Sequence, residues 1–248
     1  MGRAPRRIGA DLTYHVTIRG NRRAPIFMDD QDRRKFLSLL DDVGRSHGWE
    51  GWAWCLMSNH VHLCLTTPQP NLSSGMRDIF GQYARFFNWK NTLDAHLFGS
   101  RFHSVDVTSD EHLTTVIRYV AQNPVRAGLV DSALAWEWSS LHSVLKPSLR
   151  DGFIKPDRVL ALFHDRPVHA VALLRQLIVL PSPSDEELIP QSTPNTRAVA
   201  QALPARRAAA VLLDRGLTIA TVARSTGVSR GAIRAWQQNG FAADQRRR

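Results

Sequence analysis

Hydrophobic positions in the first quarter of the chain alternate in short runs, with one longer helical pattern between them. Residues 11–19 alternate and are rich in β-branched side chains, which predicts a first strand. Residues 29–47 begin with an acidic pair and carry apolar residues at helical spacing, which predicts a helix. Two further strands are predicted over residues 49–57 and 60–66, joined by a tight turn at Ser58-Asn59.

The next part of the chain extends this pattern. Residues 72–91 have an apolar stripe at steps of three and four, which predicts a second helix, and residues 97–107 resemble a fourth strand. Thr108 and Glu111 have the spacing of a capping box, which predicts a third helix over residues 109–122. The order β-α-β-β-α-β-α predicts an α+β fold. It is the ferredoxin-like (split βαβ) antiparallel sheet with helices on one face, to which the third helix is an addition.

Changes in composition predict three parts. Residues 1–150 hold the predicted sheet and its helices. Residues 151–197 contain a helical connection followed by a proline-rich linker. Residues 198–248 return to helical patterns and end in a basic tail, which predicts a separate all-α domain.

The pattern in the last part is typical of a helix-turn-helix. Gly227 stands where the turn is needed, between helices predicted over residues 218–226 and 229–238. Arg230 and Arg234 then fall on the exposed side of the second helix, where they are candidates for contacts with duplex DNA. An ordinary small helical bundle is the alternative.

The net charge of the chain indicates which class of molecule it binds. The chain has 32 Lys and Arg residues against 22 Asp and Glu residues, a net charge of +10, which favours a polyanion such as nucleic acid. No apolar stretch is long enough to cross a membrane, and no hydrophobic segment follows the basic N-terminus, so a cytoplasmic, nucleoid-associated protein is expected. Cys55 and Cys64 are expected to be reduced core residues, although cross-strand neighbours remain an alternative.

Two histidines are candidate metal ligands. His60 and His62 lie two apart on a predicted strand, so both side chains point to the same face. Two imidazoles one pleat apart can bind a single divalent ion. Taken alone, such a pair is more often structural than metal-binding, because short motifs recur by chance.

The third predicted helix adds a candidate nucleophile. Tyr119 and Asn123 are one helical turn apart on the flank of its apolar stripe. A phenol beside a metal-bound phosphate can cleave a phosphodiester, and the side-chain oxygen of Asn123 would complete a ligand set with His60 and His62. Positions left open on Mg²⁺ or Mn²⁺ would bind water and phosphate. A tyrosine on such a flank is, by itself, more often simply half-buried.

Two runs carry a family resemblance. Ser58-Asn59-His60-Val61-His62 is followed downstream by Tyr119-Val120-Ala121-Gln122-Asn123-Pro124-Val125-Arg126. Over roughly residues 10–145 the chain resembles the HUH-type single-tyrosine transposases, and within them the REP-associated tyrosine transposases, relatives of the small insertion-sequence enzymes. The resemblance implies Tyr119 as nucleophile, His60, His62 and Asn123 as ligands of Mg²⁺ or Mn²⁺, and single-stranded hairpin DNA as substrate.

Further expectations concern DNA contacts and oligomeric state. Arg19, Arg22, Arg23 and Arg126 lie on loops near the predicted site and are expected to hold the DNA backbone. The resemblance favours a monomer, with a dimer as the alternative.

The leading hypothesis is a metal-dependent DNA endonuclease and strand transferase that forms a covalent 5′-phosphotyrosine. A non-catalytic, sequence-specific DNA-binding regulator is the main alternative. A metal-dependent hydrolase of RNA or nucleotides is a third, and it would not need Tyr119.

Overall fold

The computed structural model describes residues 9–146, 148–149, 151–184, 188, 205, 209–210, 213 and 219–238. The chain divides into two compact units, one of residues 1–107 and 115–189 and the other of residues 108–114 and 190–248. The division predicted at residues 150 and 197 stays a prediction.

A four-stranded antiparallel sheet organises the first unit. Its strands are β1 (Leu12–Arg19), β2 (Glu50–Leu56), β3 (His60–Thr67) and β4 (His103–Val107). They are ordered β2-β3-β1-β4, and every pairing is antiparallel. Because β3 lies between β1 and β2, the connection through the first helix is the split βαβ unit. The predicted α+β, ferredoxin-like fold is confirmed.

The register of β1 and β3 sorts their side chains into two faces. Thr17 lies opposite His62 and Arg19 lies opposite His60, so these residues share one face of the sheet. The alternate positions face the other way and are buried, namely Tyr14, Val16, Ile18, Val61, Leu63 and Leu65. The predicted histidine pair is therefore on the face opposite this apolar layer.

Two long helices pack against each other and contribute the rest of the core. They are α1 (Asp30–Ser46) and α2 (Leu72–Asn91), and the bounds of α2 are those predicted. Asp29 caps α1 through a reciprocal capping box with Asp32. Lys90 near the end of α2 forms ion pairs with both carboxylates, at 2.7 and 2.8 Å. The fully buried side chains that these helices supply are Phe36, Leu40, Leu72, Met76, Ile79 and Tyr83.

The third helix, α3 (Asp110–Arg126), differs from the prediction at both ends. It begins one residue later, and Ser109 Oγ accepts the backbone N–H of His112 at 3.1 Å, so this pair caps the helix instead of the predicted Thr108 and Glu111. The helix also continues through Pro124 to Arg126, because the turn after the proline is closed by Ala127 N–H donating to Asn123 O at 3.0 Å.

The fourth strand is shorter than the predicted residues 97–107. Ladder pairing with β1 covers His103–Val107. Leu97 and Phe98 precede it, and they contact the turn after β1 instead. Asn21 N–H donates to Leu97 O at 2.8 Å, and Phe98 forms an isolated bridge with Gly20. The apolar side chains of Leu97 and Phe98 gave this segment the sequence pattern of a strand, although it does not join the sheet as one.

The segment after α3 covers the outer edge of β2. Leu56 N–H donates to Trp138 O at 2.9 Å, and Ser140 N–H donates to Trp54 O at 3.0 Å. Pairing of this kind protects an edge strand from association with other chains. Three short helices follow, α4 (Leu141–Leu145), α5 (Pro156–Leu160) and α6 (Pro167–Leu177).

The second unit contains two adjacent helices, α7 (Ile219–Thr226) and α8 (Arg230–Gln238). Gly227, between them, has φ +70°, a conformation that favours glycine, and its N–H donates to Ala223 O at 2.9 Å. Ala209, Val222 and Ile233 form a buried core. The helix–turn–helix arrangement over residues 219–238 agrees with the prediction, whereas most of residues 198–218 and the basic tail lie outside the described residues.

Within the described residues, no helix combines the length and the apolar character needed to span a membrane.

Candidate active site

Backbone hydrogen bonds tie the turn after β1 to the β2–β3 turn. Gly20 N–H donates to Asn59 O at 2.9 Å, and Asn59 Nδ2 donates to Arg23 O at 3.0 Å. A side chain at Gly20 would collide with Ala24 O, so only glycine fits this close approach. Arg22 and Arg23 are exposed and hold φ values of 51° and 62°. Arg19, the last residue of β1, pairs with His60, so the three arginines place cations around the start of β3.

The amide of Asn59 determines the tautomer of His60. Since Asn59 Nδ2 donates to Arg23 O, Asn59 Oδ1 is the atom that faces His60 Nδ1, at 2.6 Å. A carbonyl oxygen only accepts, so His60 Nδ1 carries the proton and His60 Nε2 holds the lone pair. His60 is thereby prepared to bind a cation through Nε2.

His62 is buried, with 5% of its surface exposed. Its Nδ1 lies 3.0 Å from His15 Nε2 and 3.3 Å from Thr17 Oγ1. Its Nε2 is also buried and has no hydrogen-bond partner among the described residues. The rings of His60 and His62 are 5.0 Å apart and nearly perpendicular. A buried nitrogen without a partner is costly, and a bound cation would remove that cost.

Both ligand candidates are held neutral. Burial and, to a smaller extent, the nearby Arg19 charge lower the pKa of His60 to about 4. Burial lowers the pKa of His62 well below its usual value, and the repulsion that a charged His62 would meet from the neighbouring histidines, Arg19 and Arg126 acts in the same direction. At neutral pH both imidazoles therefore offer lone pairs, as metal ligands must.

Tyr119 of α3 lies over this face of the sheet. Its ring centre is 5.7 Å from that of His62 and 5.7 Å from that of His15, with edge-on geometry in both pairs. The chain has three tyrosines, and Tyr14 and Tyr83 are fully buried. Tyr119 is half-buried, so it is the tyrosine that a large substrate can reach.

Asn123 is one turn after Tyr119 and is buried. Its Nδ2 donates to Tyr119 O at 2.9 Å, which orients the amide and leaves Oδ1 as the atom suited to a cation. The histidine pair and Tyr119 are thus brought together, and Asn123 is fixed to the Tyr119 turn.

Arg126 completes the cluster on α3. Its guanidinium lies 4.6 Å from the centre of the Tyr119 ring, a cation–π contact, and its Nη1 donates to Pro183 O at 2.6 Å. Arg118 Nη2 donates in the same way to Pro181 O at 3.1 Å. Residues 181–183 therefore run beside α3.

The donor atoms suit a divalent ion. The two imidazole Nε2 atoms and one amide oxygen are ligand types that Mn²⁺ accepts, and the orphaned Nε2 of His62 is the specific observation in favour of a metal. Among the described residues, no group of three or more His, Cys, Asp or Glu side chains is arranged for a metal. A metal held by the two histidines would need a third ligand of another residue type, such as asparagine.

Part of the chain is similar to a known protein family. A family model described as "Transposase IS200 like" matches residues 9–123. The match covers a little less than half of the chain, and over it the chain is similar to the IS200-like transposases. Transposases are enzymes, and the matched segment includes His60, His62 and Tyr119 and ends at Asn123.

Two individual proteins show the same likeness. A solved structure of a REP-associated tyrosine transposase bound to a REP hairpin has a TM-score of 0.52 and 22% sequence identity, over 62% of this chain and 92% of that chain. At this identity the structure shows the shared fold. A Haemophilus influenzae protein named for the REP-associated tyrosine transposases is 22% identical over 147 residues, which are 55% of this chain and 83% of the relative.

Sequence reasoning missed the residues that support the candidate site. His15 and Thr17 reach His62 because of the β1–β3 register, and Asn59 orients His60. Period-two alternation placed His15 and Thr17 on one face of a strand. It did not show that β1 would lie next to β3.

Two predicted DNA-binding residues lie in the second unit. Arg234 is exposed and Arg230 is half-buried, both on α8. Ser229 Oγ accepts Ala232 N–H at 3.3 Å and so caps the start of this helix.

The two cysteines of the first unit, Cys55 and Cys64, are buried free thiols, and burial raises the pKa of each.

Proposed function

We propose that this chain is a metal-dependent, single-tyrosine DNA endonuclease and strand transferase that acts on hairpin DNA. The observation that carries the proposal is the placement of Tyr119 beside His62, whose buried Nε2 has no partner among the described residues. The similarity of residues 9–123 to the IS200-like transposases supports the reaction class. The relative bound to a REP hairpin supports the class of substrate.

His60, His62 and Asn123 would hold Mg²⁺ or Mn²⁺, which would supply positive charge to a non-bridging oxygen of the scissile phosphate. The Tyr119 oxygen attacks phosphorus, the P–O3′ bond breaks, and the proton of the phenol ends on the departing 3′-oxygen. The product is a 5′-phosphotyrosine on one fragment and a free 3′-hydroxyl on the other. Attack by a 3′-hydroxyl on this linkage is the strand-transfer step, and it needs no added energy source.

The arginines would hold the DNA. Arg19, Arg22 and Arg23 surround the start of β3, and Arg126 adds a charge over the Tyr119 ring. Phosphates along a single strand can bind such cations without base specificity. Arg230 and Arg234 would contact duplex DNA from the second unit. We take the acting species to be a monomer.

The experiment is cleavage of a labelled DNA hairpin with a single-stranded flank, resolved on a denaturing gel. We expect cutting with Mg²⁺ or Mn²⁺ and none with EDTA. The same DNA is titrated in a binding assay under both conditions. Binding without cutting in the presence of either metal would favour a non-catalytic regulator.

A further inference from the structure

A second histidine lies behind the metal-ligand candidate His62. His15 Nε2 is 3.0 Å from His62 Nδ1, and the two rings stack at 5.2 Å with an interplanar angle of 18°. His15 is itself buried and sits on β1, beside the strand that carries His62. Since both residues belong to paired strands, the sheet fixes the distance between their rings.

This contact admits two proton arrangements. Either His62 Nδ1 donates to His15 Nε2, or His15 Nε2 donates to His62 Nδ1. In the second arrangement a neutral His62 carries its proton on Nε2, which is buried and has no acceptor among the described residues. In the first arrangement Nε2 holds a lone pair, which a cation can satisfy.

The Thr17 contact is compatible with the first arrangement. Its hydroxyl lies 3.3 Å from the same His62 Nδ1 and can act as a second acceptor. The Tyr119 ring meets His15 and His62 edge-on at 5.7 Å, so both imidazoles are also confined by α3.

We infer that His15 is a positioning residue, which accepts the Nδ1 proton of His62 and keeps the Nε2 lone pair of His62 directed toward the metal. The inference rests on the proposed function for its purpose, but the tautomer itself does not depend on a bound metal. Partners of this kind behind a ligating histidine fix its tautomer and orientation, and their loss typically weakens metal binding by about 10–100-fold.

The test compares the full-length wild-type protein with His15→Leu and His15→Gln. Leucine removes the acceptor, whereas the side-chain oxygen of glutamine can reach the position of His15 Nε2. Long-range ¹H–¹⁵N NMR on metal-free protein reports the tautomer of His62, and calorimetry with Mn²⁺ reports affinity. Thermal unfolding of each variant measures the effect of altered packing.

In wild-type protein we expect the Nδ1–H tautomer of His62. His15→Leu should shift His62 toward the Nε2–H tautomer and weaken Mn²⁺ binding by about 10–100-fold. His15→Gln should preserve the Nδ1–H tautomer and most of the affinity. An Nε2–H tautomer in wild-type protein would overturn the inference, as would equal losses in the two variants. If wild-type protein has the expected tautomer but binds no Mn²⁺, the proposed metal site fails while the role of His15 in setting the tautomer stands.

Discussion

Arg126 places its guanidinium 4.6 Å from the centre of the Tyr119 ring. The residues are seven apart on α3, which is two helical turns, so they share one flank of the helix. The carbonyl of Pro183 accepts a hydrogen bond from Arg126 and helps to hold this side chain. The reachable tyrosine of the chain therefore has a fixed positive charge beside it, where a phosphate under attack would need one.

Replacement of either histidine of the pair should abolish metal binding. His60→Ala and His62→Ala each leave one imidazole and one amide oxygen, which hold a divalent ion poorly. Calorimetry with Mn²⁺ on metal-free protein should show at least a tenfold loss of affinity in both variants. His164→Ala is the matched control, because His164 is exposed and its Nδ1 accepts Arg166 N–H outside the site. Unchanged Mn²⁺ binding in both site variants would eliminate the proposed ligand set.

Stability of the metal-free protein should fall as the pH drops from about 6.5 toward 4. The folded-state pKa of His60 is about 4, below its ordinary value of 6.5, so the unfolded chain binds more protons in this window. The free energy of unfolding therefore decreases with falling pH. Urea denaturation at several pH values should give a shallower dependence for His60→Gln than for wild-type protein. Identical pH profiles would show that His60 is not protected from protonation by the fold.

Cations around the start of β3 should set the salt dependence of DNA binding. Arg19→Gln, Arg22→Gln and Arg23→Gln should each lower the slope of log affinity against log salt by about 0.7 on single-stranded DNA, because one fewer counterion is released. Arg45→Gln is the control. Arg45 lies in the last turn of α1 and forms ion pairs with Asp41 and Asp42 at 2.8 and 3.0 Å. An equal change in slope for Arg45→Gln would show that general charge, not this surface, holds the strand.

Substitutions in α8 of the second unit should weaken binding to duplex DNA without changing the cleavage of hairpin DNA. The double variant Arg230→Gln, Arg234→Gln removes two charges from α8 without touching the core of Ala209, Val222 and Ile233. We expect weaker binding to duplex DNA and an unchanged rate of hairpin cleavage. Titration of duplex DNA and cleavage kinetics on one hairpin provide the comparison. Loss of cutting in a folded double variant would assign α8 to the catalytic unit.

Much of the fold could be predicted because its patterns are local. The apolar stripe of α2 runs from Leu72 to Phe87, and Asp29, which caps α1, stands directly before that helix. The end of α3 was missed because a proline usually terminates a helix, yet this one is accommodated and the helix continues to Arg126. The start of β4 was predicted too early because Leu97 and Phe98 are apolar. Apolar residues that pack inward from a loop cannot be told from those of a strand by sequence pattern alone.

The candidate site likewise contains residues that local spacing predicts and residues that only the pairing of distant strands brings in. His60 and His62 could be paired from their spacing along one strand, and Tyr119 with Asn123 from one helical turn. His15 reaches His62 only through the pairing of β1 with β3, two strands separated by 40 residues of sequence between Arg19 and His60. Register between distant strands is fixed by tertiary packing, which local patterns do not report.

Tyr119→Phe should abolish DNA cleavage and the covalent adduct while leaving DNA affinity and the fold intact. The substitution removes the hydroxyl and keeps the ring that packs against His15 and His62. Tyr14→Phe is the matched control, because it makes the same chemical change at a fully buried tyrosine.

The most direct measurement is mass spectrometry of the peptide joined to DNA after wild-type protein has been incubated with a hairpin substrate and Mn²⁺. The proposed function predicts a 5′-phosphate of the DNA linked to Tyr119, with the adduct present in Tyr14→Phe and absent in Tyr119→Phe. Cleavage with no covalent adduct, or an adduct on any other residue, would contradict it.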